Sequence, residues 1–349
     1  MLKPSKLLGF ETEILRNDIL SVQVNLLNRC TSKCLSCQKY TWPNERLKST
    51  DVYNLIDYLK TQGLQHILFS GGDPILYRDF GKLLSYCNTI GINSGFITTL
   101  IFGDNFDYEE IALNAYRIHV SLDAVDKDLY KKIRGVDSLE NVKSNVTKIN
   151  LIRALENKIL IRFSMTVSNL NYTTIKDVYE YAKEVGCCVN FYNVHTFLDL
   201  LLNDLEKHEY FELLGEIIRD EFKNNKFITN AVSIAESLRN ELLYGYDITG
   251  SCARCYMPNI HALINSNGDV YPCCKLLDDN NFYGQQNENS YGNICGKSIE
   301  EMGEIFNKRL SLDYPKNCTL CRQCLPMKNG LLNELEIIKN KSERGVLCF

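Results

Sequence analysis

Three cysteines within eight residues constrain this chain more than any other feature. The stretch Asn28-Arg29-Cys30-Thr31-Ser32-Lys33-Cys34-Leu35-Ser36-Cys37 spaces them as C-x3-C-x2-C, just after an apolar segment. Thiolates that close together can wrap one face of a single metal centre. They supply only three of the four ligands that a cubane 4Fe–4S cluster takes, which leaves one iron open for another molecule. Zinc sites close with a fourth Cys or His nearby, and the nearest histidine, His66, is far outside the loop. A zinc knuckle, or buried cysteines with no metal, are the blander alternatives.

The segments around this loop repeat a strand–helix rhythm. Residues 21–27 alternate, with Val22, Val24 and Leu26 on one face and Gln23, Asn25 and Leu27 on the other. A helix follows, with Thr50 as N-cap, a stripe of Val52, Leu55, Ile56 and Leu59, and Gly63 as stop. Strands are expected at 66–70, 94–99, 117–123, 160–167 and 188–195, and helices at 79–90, 139–156 and 174–185. Residues 196–247 read as helical.

Six such units in succession predict parallel strands with right-handed crossovers. A parallel sheet covered on both faces is apolar on both. Here Gln23 and Asn25, then His119, Ser121 and Asp123, then Arg162, Ser164 and Thr166 make one face polar. That favours an incomplete barrel with a wet lumen, whose site lies at the C-terminal strand ends. The cysteine loop follows the first strand, as such a site requires. Ser70-Gly71-Gly72-Asp73-Pro74 follows the second, and its glycines allow close backbone approach to a ligand.

From about residue 248 the rhythm ends and Cys, Asn, Gly and Pro become frequent. Cys252 and Cys255 come first. Asn265-Ser266-Asn267-Gly268-Asp269 is a hairpin turn that brings Cys255 and Cys273 together. A helix with Ile299, Met302, Ile305 and Phe306 on one face precedes Cys318-Thr-Leu-Cys321-Arg-Gln-Cys324, a further chelating loop. A zinc ribbon would use the same thiolates.

The order of these motifs resembles the radical S-adenosylmethionine (SAM) enzymes that carry a C-terminal SPASM or twitch domain. The resemblance covers about residues 20–330 and implies an α/β chain. Its parts would be a partial (β/α)6 TIM-like barrel and a small Cys-rich α+β auxiliary domain, at 21–247 and 248–349, after an extension at 1–20. It further implies that Cys30, Cys34 and Cys37 hold a 4Fe–4S cluster whose open iron is chelated by the amino and carboxylate groups of SAM. Gly71, Gly72, Asp73 and Pro74 match the family's GGE-type motif for the methionyl amino group. Ser121 and Asp123 match the ribose contact, though Asp123 could instead cap the next helix. Arg134-Gly135 resembles a short motif after strand four. Ser36 departs from the aromatic residue usual before the third cysteine, so adenine stacking falls to Tyr40 or Trp42. The spacing from Cys255 to Gly268 to Cys273 matches the auxiliary-domain pattern. The later run, C-x2-C-x2-C, is shorter than the family's, so the expectation is one auxiliary 4Fe–4S cluster on Cys255, Cys273 and two of Cys318, Cys321 and Cys324.

The activity implied is reductive cleavage of SAM to a 5′-deoxyadenosyl radical that takes hydrogen from a substrate. That substrate would be a peptide or a small sugar-like metabolite, and a flavodoxin or ferredoxin would donate electrons. No leader-binding domain is evident before residue 20, which weighs modestly against peptides. The competing class is a non-catalytic iron–sulfur or zinc protein. Composition excludes other partners. A net charge of −4 offers nothing to nucleic acid, and no apolar run reaches the ~18–20 residues that span a bilayer. Fifteen clustered cysteines without a signal peptide point to a reducing cytoplasm. Cys87 reads as core, Cys187 and Cys188 as packing or a hydrogen-atom donor, and His195 as a substrate contact or a structural histidine.

Overall fold

The computed structural model describes residues 19–37, 43–104, 106–194, 197–244, 261–272 and 290–308. Strands and helices alternate as the apolar periodicity requires. They are β1 (Ser21–Leu27), α1 (Ser49–Thr61), β2 (His66–Gly71), α2 (Phe80–Thr89), β3 (Asn93–Thr98), α3 (Tyr108–Asn114), β4 (Arg117–Ser121), α4 (Lys127–Arg134), α5 (Leu139–Leu155), β5 (Arg162–Val167), α6 (Ile175–Glu184) and β6 (Cys188–Asn193). After them come α7 (Asp204–Asn224), α8 (Ala231–Tyr244), β7 (His261–Ile264), β8 (Asp269–Tyr271), β9 (Gly292–Asn293) and α9 (Ile299–Asn307).

The chain divides into two compact units, and β1 and β2 each contribute their first residues to one and their last to the other. The larger unit comprises Asn25–Arg46 and Leu68–Gly245. In it β3, β4, β5 and β6 pair parallel in sequence order, next to the ends of β2 and β1. Ile118, Val120, Phe163, Met165, Val189 and Phe191 are buried on one side of these strands. The alternate residues form cross-strand rows: His119 with Arg162 and Cys188, and Ser121 with Ser164 and Asn190. All six are only half-buried. The polar face expected of an incomplete barrel is therefore present. Asn25 and Asp123 depart from it, being 1% and 0% exposed. The loops around β4 also hold α3 and α4, two short helices that the strand–helix rhythm did not indicate.

The smaller unit takes Met1–Val24, Leu47–Ile67 and Tyr246–Phe349. Its β7 runs parallel to β1, then turns back through β8. Gly268 makes that turn at φ 92°, in the left-handed region glycine favours, and Asn265 N–H donates to Asp269 O at 2.8 Å. Helix α9 starts with a capping box between Ser298 and Glu301. Met302, Ile305 and Phe306 are buried and Phe306 packs on Tyr58 of α1, whereas Ile299 is 47% exposed. Ile299 is the first helical residue, so it precedes the buried stripe rather than joining it. Helix α1 begins one residue before Thr50, and Lys48 precedes it without a side-chain cap. Among the described residues no helix is long and apolar enough to cross a membrane.

Candidate functional site

The site is built where β1 and β2 end. After Leu27 the chain turns into the cysteine loop, and Asn28 anchors it. The Asn28 N–H donates to Glu45 O at 3.0 Å and its amide Nδ2 to Pro43 O at 2.9 Å. The far side of the loop is held by the end of α4. Lys33 N–H donates to Arg134 O at 3.1 Å and Leu35 N–H to Ile133 O at 2.9 Å, one on each side of Cys34. Cys34 is buried, while Cys30 and Cys37 are partly exposed. Burial pushes the Cys34 thiol up to about 12, against the opposing pull of Arg134. Burial also raises Cys30, although Ser32 N–H donates to its sulfur at 3.4 Å.

The second loop packs onto the first through its glycines. Gly72 N–H donates to Leu27 O at 2.6 Å and Asp73 N–H to Arg29 O at 2.8 Å. A Cβ at Gly72 would lie 2.0 Å from Arg29 O, and one at Gly71, where φ is 123°, 2.2 Å from Leu27 O. The glycines expected to admit a ligand thus first admit the backbone of the cysteine loop. Asp73 is fully buried. Its carboxylate accepts from Thr98 Oγ1 at 2.7 Å, from Thr99 N–H at 3.0 Å and from the Thr99 hydroxyl, which ties this loop to the end of β3. Burial raises the Asp73 pKa; Thr99 and Thr98 oppose the rise. Thr99 also reaches Thr31 of the cysteine loop, hydroxyl to hydroxyl at 3.2 Å. Pro74 opens a short 3-10 turn for which Asp73 is the N-cap.

Ser121 ends β4 on the polar face. Asp123 neither caps a helix nor stands open, since Asp126 caps α4. Its Oδ2 accepts from Arg134 Nη1 at 3.0 Å and its Oδ1 from Thr166 N–H at 2.7 Å. Asn171 Nδ2 donates to the Asp123 carbonyl at 2.9 Å. The sequence offered Arg134 only as part of a weak dipeptide, and offered Asn171, Thr98 and Thr99 not at all, because their partners are remote in the chain.

The donor set suits an iron–sulfur cluster. Cys30, Cys34 and Cys37 come from one loop and lie near enough to act on one another electrostatically, although among the described residues no three Cys, His, Asp or Glu side chains are drawn together tightly enough to hold a single metal ion. Two buried polar atoms at the loop, Ser32 Oγ and Arg134 Nε, lack hydrogen-bond partners, and the sulfurs of a cluster are acceptors for such donors.

Residues 24–182 match the family model described as radical SAM superfamily, and residues 255–325 match that of an iron–sulfur cluster-binding domain, SPASM. The chain carries a radical SAM superfamily domain followed by a SPASM-type iron–sulfur domain. A radical SAM domain carries a SAM-binding 4Fe–4S cluster, and a SPASM domain adds auxiliary iron–sulfur binding. A relative named probable GTP 3′,8-cyclase, from Methanothermobacter thermautotrophicus, is 27% identical over 176 residues, 48% of this chain and 55% of that protein. The chain therefore spans about half the length of that relative. Streptococcus suis SuiB bound to precursor peptide SuiA superposes with a TM-score of 0.63 at 17% identity, over 92% of this chain and 74% of that one. The structure of anSMEcpe with bound AdoMet and a Kp18Cys peptide gives 0.61 at 19% identity, over 87% and 88%. These likenesses show a shared fold.

Other residues singled out in the sequence fall elsewhere. Cys87 is buried in α2, and Cys187 is buried with Asn150 Nδ2 3.1 Å from its sulfur, both as packing residues. Cys188 is half-exposed on the polar row. Tyr40, Trp42, His195, Cys252, Cys255, Cys273, Cys318, Cys321 and Cys324 lie outside the described residues.

Proposed function

We propose that the protein is a peptide-modifying radical SAM enzyme, with its catalytic portion at 21–247 and its auxiliary domain at 248–349. The observation that carries this reading is the C-x3-C-x2-C loop bracketed by the Gly71-Gly72-Asp73 turn and the end of α4. Cys30, Cys34 and Cys37 would hold the first cluster. The backbone of Gly71 to Pro74 would meet the methionyl end of SAM and Ser121 the ribose, with Asp123 fixing the segment behind it. Bound together, the cluster and SAM supply one-electron cleavage of the sulfonium to methionine and a hydrogen-abstracting 5′-deoxyadenosyl radical. The chain's own part is to position and to exclude water. Asp73 and the glycines tie the cysteine loop, the second loop and the end of β3 together. The polar face would contact substrate. Burial, then Arg162 and Arg117, pull the His119 imidazole down to about 4, so it is neutral at pH 7 and can both donate and accept there. A low-potential donor such as flavodoxin or ferredoxin would deliver the electron in the cytoplasm.

The peptide reading is supported by the fold shared with SuiB bound to its precursor peptide SuiA and with anSMEcpe bound to a Kp18Cys peptide. The sequence relatives named GTP 3′,8-cyclases favour a nucleotide instead. Offering the anaerobically reduced enzyme SAM with either a peptide pool or GTP separates the two. A mass change in peptides, with 5′-deoxyadenosine formed above the substrate-free level, is the expected result. Stimulation by GTP alone, with peptides unchanged, contradicts it.

The auxiliary cluster would use Cys255, Cys273 and two of Cys318, Cys321 and Cys324. Reconstituted protein should then hold about eight irons per chain, from two cubanes. Iron, sulfide and zinc analysis checks this. About twelve irons would mean a second auxiliary cluster, and about four with one zinc would mean a zinc ribbon.

A further inference from the structure

Gly135 takes the left-handed conformation at φ 68°, and a Cβ there would lie 2.7 Å from Lys33 O. The end of α4 therefore lies directly on the cysteine loop, with the carbonyls of Ile133 and Arg134 tied to Leu35 and Lys33. The Arg134 side chain turns inward. It is 7% exposed, its Nη1 is 3.0 Å from Asp123 Oδ2, and its Nε has no hydrogen-bond partner. Asp123 cannot swing away, since Thr166 N–H holds its other oxygen and Asn171 its carbonyl. The guanidinium of an arginine stays cationic at any working pH, and Asp123 faces it at 3.0 Å. A buried cation with one carboxylate partner thus belongs to the residue whose backbone carbonyl holds Lys33, the neighbour of Cys34 in the chain. Such a pair gains little over apolar side chains in stability, so its placement is explained better by what it does to the thiolates.

We propose that the Asp123–Arg134 pair sets the reduction potential of the cluster held by Cys30, Cys34 and Cys37. Reduction adds one negative charge to a centre already bound by three thiolates. A cation at the loop favours the reduced form, and a carboxylate behind it limits that effect. Arg134 raises the potential and Asp123 trims it; both are positioning residues that act through the cysteine ligands. The inference rests on the cluster assignment proposed above.

The test is anaerobic redox titration of the reconstituted full-length protein, following the reduced-cluster EPR signal that changes when SAM is added. Arg134→Met should shift the midpoint to more negative potential, and Asp123→Asn should shift it to more positive potential. Arg134→Lys, which keeps the charge, should stay near the wild type. A merely structural role would move Met and Asn variants the same way, by loosening the loop. Shifts of like sign, or no shift at equal iron content, overturn the proposal. If Arg134→Met does not retain iron, Asp123→Asn decides alone, and an unchanged or more negative midpoint refutes the pair's role. Wild-type protein that shows no SAM-sensitive EPR signal refutes the cluster assignment itself, which is a different outcome from a signal whose midpoint ignores the charges.

Discussion

Cys30→Ala, Cys34→Ala and Cys37→Ala each abolish SAM cleavage and remove about four irons per chain, the content of one cubane. All three positions carry the effect because the loop offers three thiolates and no spare. Residues 28–37 hold no further Cys and no His, Asp or Glu, so a lost ligand has no substitute within the loop. Cys34 should be the most severe for folding as well as binding, since it alone of the three is buried. Iron analysis of each variant with 5′-deoxyadenosine quantified by chromatography checks the result. Full activity in any one of them removes that cysteine from the ligand set. Cys87→Ala is the control, because its buried thiol packs in α2 away from the loop.

Gly72→Val lowers both cluster retention and SAM cleavage, the latter by about 100-fold, the scale on which a displacement of about 1 Å acts. A Cβ at this position meets Arg29 O at 2.0 Å, so the cysteine loop must move to accommodate it. Were the glycine needed only for approach of the ligand, the cluster would stay and SAM binding alone would weaken. Iron content measured beside SAM affinity distinguishes the two. Loss of both is expected, whereas full iron with weak SAM binding would show that the loop tolerates the side chain.

Much of this site was legible in the sequence because its parts are local. The cysteine spacing, the Gly-Gly-Asp-Pro turn and the period-2 polarity of β4 and β5 each lie within one segment, and each reads without knowing its neighbours. The joins between segments were not legible. Asp73 finds Thr98 and Thr99, and Asp123 finds Arg134 and Thr166, across 11 to 43 residues of chain. Only the fold sets those distances. The same limit explains why Asp123 reads as a helix cap or a ligand contact but is instead buried with both oxygens occupied. It also explains Asn25, which sits at a polar-face position by alternation yet is buried near the loop. Helix α4 was missed because only eight residues, most of them charged, give little apolar stripe to read. Its last turn nevertheless holds the cysteine loop in place.

The most direct test of the whole account is anaerobic incubation of the reconstituted wild-type protein with SAM and dithionite, followed by quantitation of 5′-deoxyadenosine and methionine. A radical SAM enzyme forms the two in equal amounts, in a reaction that requires the reductant. Absence of 5′-deoxyadenosine from protein that holds its full iron would contradict the account and leave an iron–sulfur protein without this chemistry.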